Sequence, residues 1–82
     1  MKRILDYLLS VGFKDTGFTW GKYINMKRVI SESEDWVKIE KTCKGYECEC
    51  HIWLNSSFGK KMKTIPISTY GEVIAFLKRN LR

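Results

Sequence analysis

Residues Asp35 to Leu54 read DWVKIEKTCKGYECECHIWL, and this stretch decides the fold. Apolar and polar residues alternate on both sides of a Lys44-Gly45 pair. Alternation at period two marks a half-buried strand, and two such runs joined through a glycine-containing dipeptide mark a β-hairpin. The spacing predicts strands over 35–43 and 46–54 with Lys44-Gly45 as the turn. A two-residue turn also sets the register. Cys43 is then expected opposite Tyr46, Lys41 opposite Cys48, Ile39 opposite Cys50 and Val37 opposite Ile52. That face is mostly apolar and is expected to be packed. Lys41 is its awkward member, near enough to the sheet end for its stem to reach water. The other face pairs Trp36 with Trp53, Lys38 with His51, Glu40 with Glu49 and Thr42 with Glu47.

Outward from the hairpin, the upstream segment 18–30 is rich in aromatic and β-branched residues and reads as a long strand, with Phe18, Trp20, Ile24, Met26 and Ile30 on one parity and Gly21 marking a bulge. A polar loop, Ser31 to Glu34, joins it to the hairpin. Before it, residues 2–11 carry Ile4, Leu5, Leu8 and Leu9 at helical spacing. Gly12 is placed to end that helix in the left-handed conformation, with Phe13 folding back on Leu8 or Leu9. Asp15, Thr16 and Gly17 are expected in a loop. Downstream, a turn over Asn55 to Gly59 leads to an edge strand over 60–67, where Pro66 and the lysines discourage further pairing. Thr69 and Glu72 have capping-box spacing, which predicts a last helix from about residue 70 with Tyr70, Val73, Ile74, Leu77 and Leu81 on its buried stripe. Lys78, Arg79 and Arg82 complement that helix's dipole. The expected fold is a single α+β domain over residues 1–82: a four-stranded antiparallel β-meander with an N-terminal and a C-terminal helix on one face, in the order αββββα.

Composition narrows the function classes. The chain has 82 residues, 44% of them hydrophobic, with three Trp, four Tyr and four Phe, enough apolar surface for a folded core. Its formal charge of +6 favours association with polyanions, although lysine outnumbers arginine eleven to four, which dilutes a nucleic-acid signal. No apolar run approaches the roughly 18 residues of a membrane span. Asp6 interrupts the N-terminal apolar run, which removes a secretory signal from the reading. Three cysteines make an odd count, at variance with a complete disulfide framework and in keeping with a reducing compartment, so a cytoplasmic location is expected.

Cys43, Cys48, Cys50 and His51 come nearest to a metal set, but on a strand Cys48 and Cys50 share one face while His51 points to the other. No metal or other cofactor is expected. A Cys43–Cys48 disulfide is also geometrically poor in the register above, which places the two residues on a diagonal. With one histidine, no phosphate-cradling glycine loop and no nucleophile-base order, neither an enzyme nor a small-molecule substrate is expected. Two binding surfaces stand out. The open sheet face carries Trp36, Trp53, Lys38 and His51, with Met62 and Val29 extending it. Clustered exposed aromatics mark contact surfaces, although cross-strand aromatic pairs also stabilise hairpins unaided. The second surface is the lysine-rich hairpin Phe58, Lys60, Lys61 and Lys63, suited to a phosphate backbone and equally explained as an aggregation-resistant edge. Glu40, Glu47 and Glu49 share the tryptophan face and would repel phosphate, so aromatic and positive groups read as segregated. The expectation is therefore a non-catalytic module that engages a protein partner or a second copy through its open face. A nucleic-acid-binding domain working through residues 58–63 is the alternative.

Overall fold

A computed structural model of the chain describes residues 2–16, 23–30, 32–56, 59–66 and 70–81, apart from the side chains of Ile30 and Tyr70. Helix α1 spans Lys2–Ser10. Five strands follow, β1 Lys14–Asp15, β2 Tyr23–Ile30, β3 Ser33–Lys44, β4 Glu47–Ser56 and β5 Gly59–Pro66. Helix α2, Tyr70–Asn80, ends the order. The sheet is antiparallel throughout, with the strands side by side in chain order. The α+β class and the two terminal helices agree with the sequence. The strand count does not: five strands stand where four were expected, because Lys14 and Asp15, read as loop, pair with Lys27 and Met26. Two residues carry no legible alternation, so only a partner strand reveals them. The expected bulge at Gly21 and the upstream strand residues Phe18 and Trp20 lie outside the described residues, as do Phe58, Ile67 and the capping residue Thr69.

The hairpin turn sits one residue later than expected. Gly45 and Tyr46 form it, Lys44 pairs with Glu47, and Gly45 occupies the first central position with φ 64°. The turns whose twist matches a hairpin need positive φ at that position, which glycine alone adopts without cost. The pairing therefore shifts by two residues. Val37 faces Leu54, Ile39 faces Ile52, Lys41 faces Cys50, and Cys43 faces Cys48. An even shift leaves each side chain on its predicted face but replaces all its neighbours. The disulfide that the expected register disfavours consequently forms: Cys43 and Cys48 are bonded, with Cα atoms 4.0 Å apart. As the pair next to the turn-closing residues they occupy a non-hydrogen-bonded position, where strands approach most closely. The odd cysteine count thus loses its force as a sign of a reducing compartment.

One sheet face is packed. Ile24, Met26, Val37, Ile39, Cys50, Ile52, Leu54 and Ile65 point from it toward Ile4, Leu8, Phe13, Val73, Phe76, Leu77 and Leu81, and all fifteen are buried. On α1, Leu5 is half-buried against this core while Leu9 is exposed. On α2 the stripe runs through Val73, Phe76 and Leu77, so Phe76 belongs to the core and Ile74 is only half-buried. Helix α1 ends as its sequence predicts. Gly12 has φ 96°, Phe13 donates its backbone N–H to Leu8 O at 3.0 Å and Gly12 donates to Leu9 O at 3.2 Å, the paired bonds of a Schellman cap.

The packed face also holds an ion pair. Ile30 pairs with Ser33, so β2 and β3 are joined through two residues rather than a four-residue loop, and Arg28 falls directly opposite Asp35. Both are buried, and Arg28 Nη2 donates to Asp35 Oδ2 at 2.8 Å. Nη1 donates to Val11 O at 3.0 Å, and the guanidinium lies 4.7 Å from the centre of the Phe13 ring. One side chain thereby joins the end of α1 to the sheet. Removing one partner of a buried pair leaves an uncompensated charge, whereas replacing both with apolar residues costs far less. Arg28→Ala is expected to lower unfolding free energy by about 3–5 kcal/mol in urea titrations. An Arg28→Leu, Asp35→Leu double variant should recover most of that loss. The disulfide closes a six-residue loop, and chain-entropy arithmetic gives it about 2 kcal/mol. A Cys43→Ser, Cys48→Ser variant should show that deficit in the same titrations while keeping its secondary-structure spectrum.

Candidate functional site

The other face of the sheet has no element packed on it among the described residues. Its side chains follow from strand alternation and register, and they form rows across the strands. One row runs Lys14, Lys27, Trp36, Asn55, Lys60 from β1 to β5. The next runs Asn25, Lys38, Trp53, Met62 from β2 to β5. Tyr23, Glu40, His51 and Thr64 form a third, and Thr42, Glu49 and Pro66 a fourth, toward the hairpin tip. On the far side of the first row, Val29 pairs with Glu34.

This register rearranges the expected site. Trp36 lies opposite Asn55 and Trp53 opposite Lys38, so the tryptophans are diagonal neighbours and not a direct pair. Lys38 does not face His51, which lies opposite Glu40. Both tryptophans are half-buried, Met62 is largely exposed, and together with Tyr23, Lys38, Lys60, Lys61 and one acid, Glu40, they line an open groove of about 690 Å³. Val29 is exposed on the same side but lies beyond Trp36 and does not line the groove. Lys27 places its ammonium 5.8 Å from the centre of the Trp36 ring, a cation–π contact.

His51 supports the site without lining the groove. Its Nε2 lies 3.0 Å from Thr42 Oγ1 and 3.2 Å from Glu49 Oε1, and its Nδ1 lies 3.2 Å from Thr64 Oγ1. An ionised carboxylate can only accept, so Nε2 donates toward Glu49, while Nδ1 is paired with the Thr64 hydroxyl. With both ring nitrogens engaged, the imidazole stacks on Trp53 at 6.2 Å between centroids and 24° between planes. Threonines on two neighbouring strands thereby hold the surface against which Trp53 rests.

The lysine-rich hairpin is not one surface. Lys60 points to the open face, while Lys61 and Lys63 pair with Leu54 and Ile52 and so share the parity of the helix side. Lys63 extends over Phe76, with its ammonium 6.0 Å from the ring centre. Phe58 lies outside the described residues. Lys60, Lys61 and Lys63 therefore divide between two faces by strand alternation. Tyr23 and Lys27 belong to the open face and were missed by sequence. Their signal was available in the second parity of β2, where Tyr23, Asn25, Lys27 and Val29 alternate with Ile24, Met26 and Arg28.

The metal candidates are also separated. Cys43 and Cys48 are bonded to each other, Cys50 is buried on the packed face, and His51 points to the opposite side. Among the described residues no three of His, Cys, Asp and Glu gather as a metal-binding group. Burial pushes the Cys50 thiol pKa above its usual value. A raised pKa leaves less thiolate at neutral pH, and only the thiolate attacks alkylating agents. Iodoacetamide at pH 8 should therefore leave Cys50 unmodified in the native protein and label it fully in denaturant, as read by intact mass. No helix among the described residues is long and apolar enough to cross a membrane. No family model, curated protein or solved structure matches the chain, so the reading of this face rests on its own residues.

Proposed function

We propose that this protein is a small non-catalytic binding module that takes an extended anionic partner across the open face of its sheet. The supporting observation is the alternation of lysines with aromatic and apolar residues in two adjacent rows, Lys27, Trp36, Asn55, Lys60 and Lys38, Trp53, Met62. The sequence argument for a protein partner rested on segregation of charge from aromatics. In the observed register each tryptophan has a lysine beside it in its own row, which supports an anionic partner although Glu40 also lines the groove. A non-catalytic role agrees with His51, whose ring nitrogens are both held by structural partners, and with Cys50, which is buried.

The second reading, a protein partner or a second copy of the chain, is favoured by the exposed apolar side chains of Met62 and Val29. The two readings separate by experiment. Titration with a heparin fragment should change tryptophan emission at low salt and lose the effect as salt rises, since exposed charge contacts are screened. Lys38→Glu, Lys60→Glu should abolish that change. Sedimentation at tens of micromolar should show a monomer. A dimer that Met62→Asp dissociates, with no response to heparin, would instead establish self-association.

A further inference from the structure

Resting on that reading, we infer that the anionic partner is a single-stranded nucleic acid, lying across the strands with bases on Trp36 and Trp53. Three observations on the face converge on this chemistry. The first is the charge boundary. Lys14, Lys27, Lys38 and Lys60 occupy the two tryptophan rows, which contain no acid, while Glu34 lies beyond them on one side and Glu40, at the edge of the groove, and Glu49 on the other. A negative strand is therefore attracted along the rows and repelled at both margins. At the usual strand spacing, five strands give this track a length of about 19 Å, the scale of the few nucleotides a small sheet surface engages.

The second observation concerns the aromatics. An acidic peptide would satisfy the lysines and leave two indoles without a role, whereas a nucleic-acid base offers a flat π-face of matching shape. Stacking platforms for single strands combine these two elements, a cationic groove and ring faces along it. Trp53 is held for this by His51, whose ring is stacked on it and fixed by Thr42, Glu49 and Thr64. Such pre-organisation lowers the ordering cost of binding. The third observation is shape. The groove is open and shallow, lined by side chains of an exposed sheet, and a duplex conceals its base faces within its own stack. Only unstacked bases can reach these rings.

The test uses a fluorescein-labelled 12-nucleotide oligo(dT), the matching dT·dA duplex and a polyglutamate peptide of equal charge. Anisotropy is read on the full chain at several salt concentrations. Oligo(dT) should bind most tightly, with an affinity that falls as salt rises by about 0.7 log units per log unit of salt for each phosphate neutralised. Trp53→Ala should weaken it by about fivefold or more, the loss of one stacked base, while Trp53→Phe keeps most of the affinity. Lys38→Ala, Lys60→Ala should reduce the salt slope by about 1.4. The phenylalanine and lysine variants keep the question answerable should Trp53→Ala fail to fold. Equal binding of polyglutamate without sensitivity to Trp53, or tighter binding of the duplex, overturns this inference and leaves the anion-binding face standing. Failure of all three probes to bind at low salt, or binding indifferent to both Trp53 and the lysines, overturns the face itself.

Discussion

The rest of the structure depends on the side-chain alternation that the Gly45 turn locks into β3 and β4. A slip of one residue in β4 against β3 would turn β4 over, sending Cys50, Ile52 and Leu54 to water and Trp53 toward the helices. Gly45 prevents that because its positive φ is tolerated where a side chain would be strained. The Cys43–Cys48 bond acts on the same register from one pair further in, since only directly opposed cysteines can be bridged there. Two independent devices, a backbone conformation and a covalent bond, thus specify one pairing.

With the register set, the two faces acquire different tasks. The packed face gathers the apolar side chains of four strands and two helices into one core, and it fixes helix α1 through Arg28. That residue neutralises Asp35, satisfies the Val11 carbonyl that the helix end leaves open, and lies against Phe13. A buried pair of this kind adds little to stability over an apolar replacement. Its geometry instead specifies where the helix must end. The open face receives whatever alternation leaves over: two tryptophans, a methionine, a tyrosine and a line of lysines. Those residues have no core to fill, which is why they are the candidates for function.

Much of this was legible in the sequence, for reasons that differ by feature. Period two over 35–54 and the Gly12-Phe13 cap are local signals, and both are found in the structure. Which face each hairpin residue occupies was legible as well, because the error in register was even. What each residue touches was not. Placing the turn at Lys44-Gly45 or at Gly45-Tyr46 is a choice of one residue, and the sequence offers glycine to either. That choice carried the disulfide, the direct tryptophan pair and the charge argument with it. The Arg28–Asp35 pair was hidden by a similar ambiguity, since Ser31 to Glu34 reads as polar loop while Ser33 and Glu34 are strand. Strand β1 was invisible for a different reason: two exposed residues have no pattern of their own and take their structure from β2. Lys61 and Lys63 were grouped with Lys60 by proximity in the chain, and alternation separates them.

The proposal turns on the open face being the surface that binds. Amide and indole resonances of the ¹⁵N-labelled protein, followed as oligo(dT) is added, test it most directly. The account predicts shifts at the indole N–H groups of Trp36 and Trp53 and at the backbone of Lys27, Lys38, Asn55 and Lys60, with helix α1 and the Tyr46 tip undisturbed. Shifts confined to the tip, to α2 or to Lys61 and Lys63, with both indoles unmoved, would contradict it.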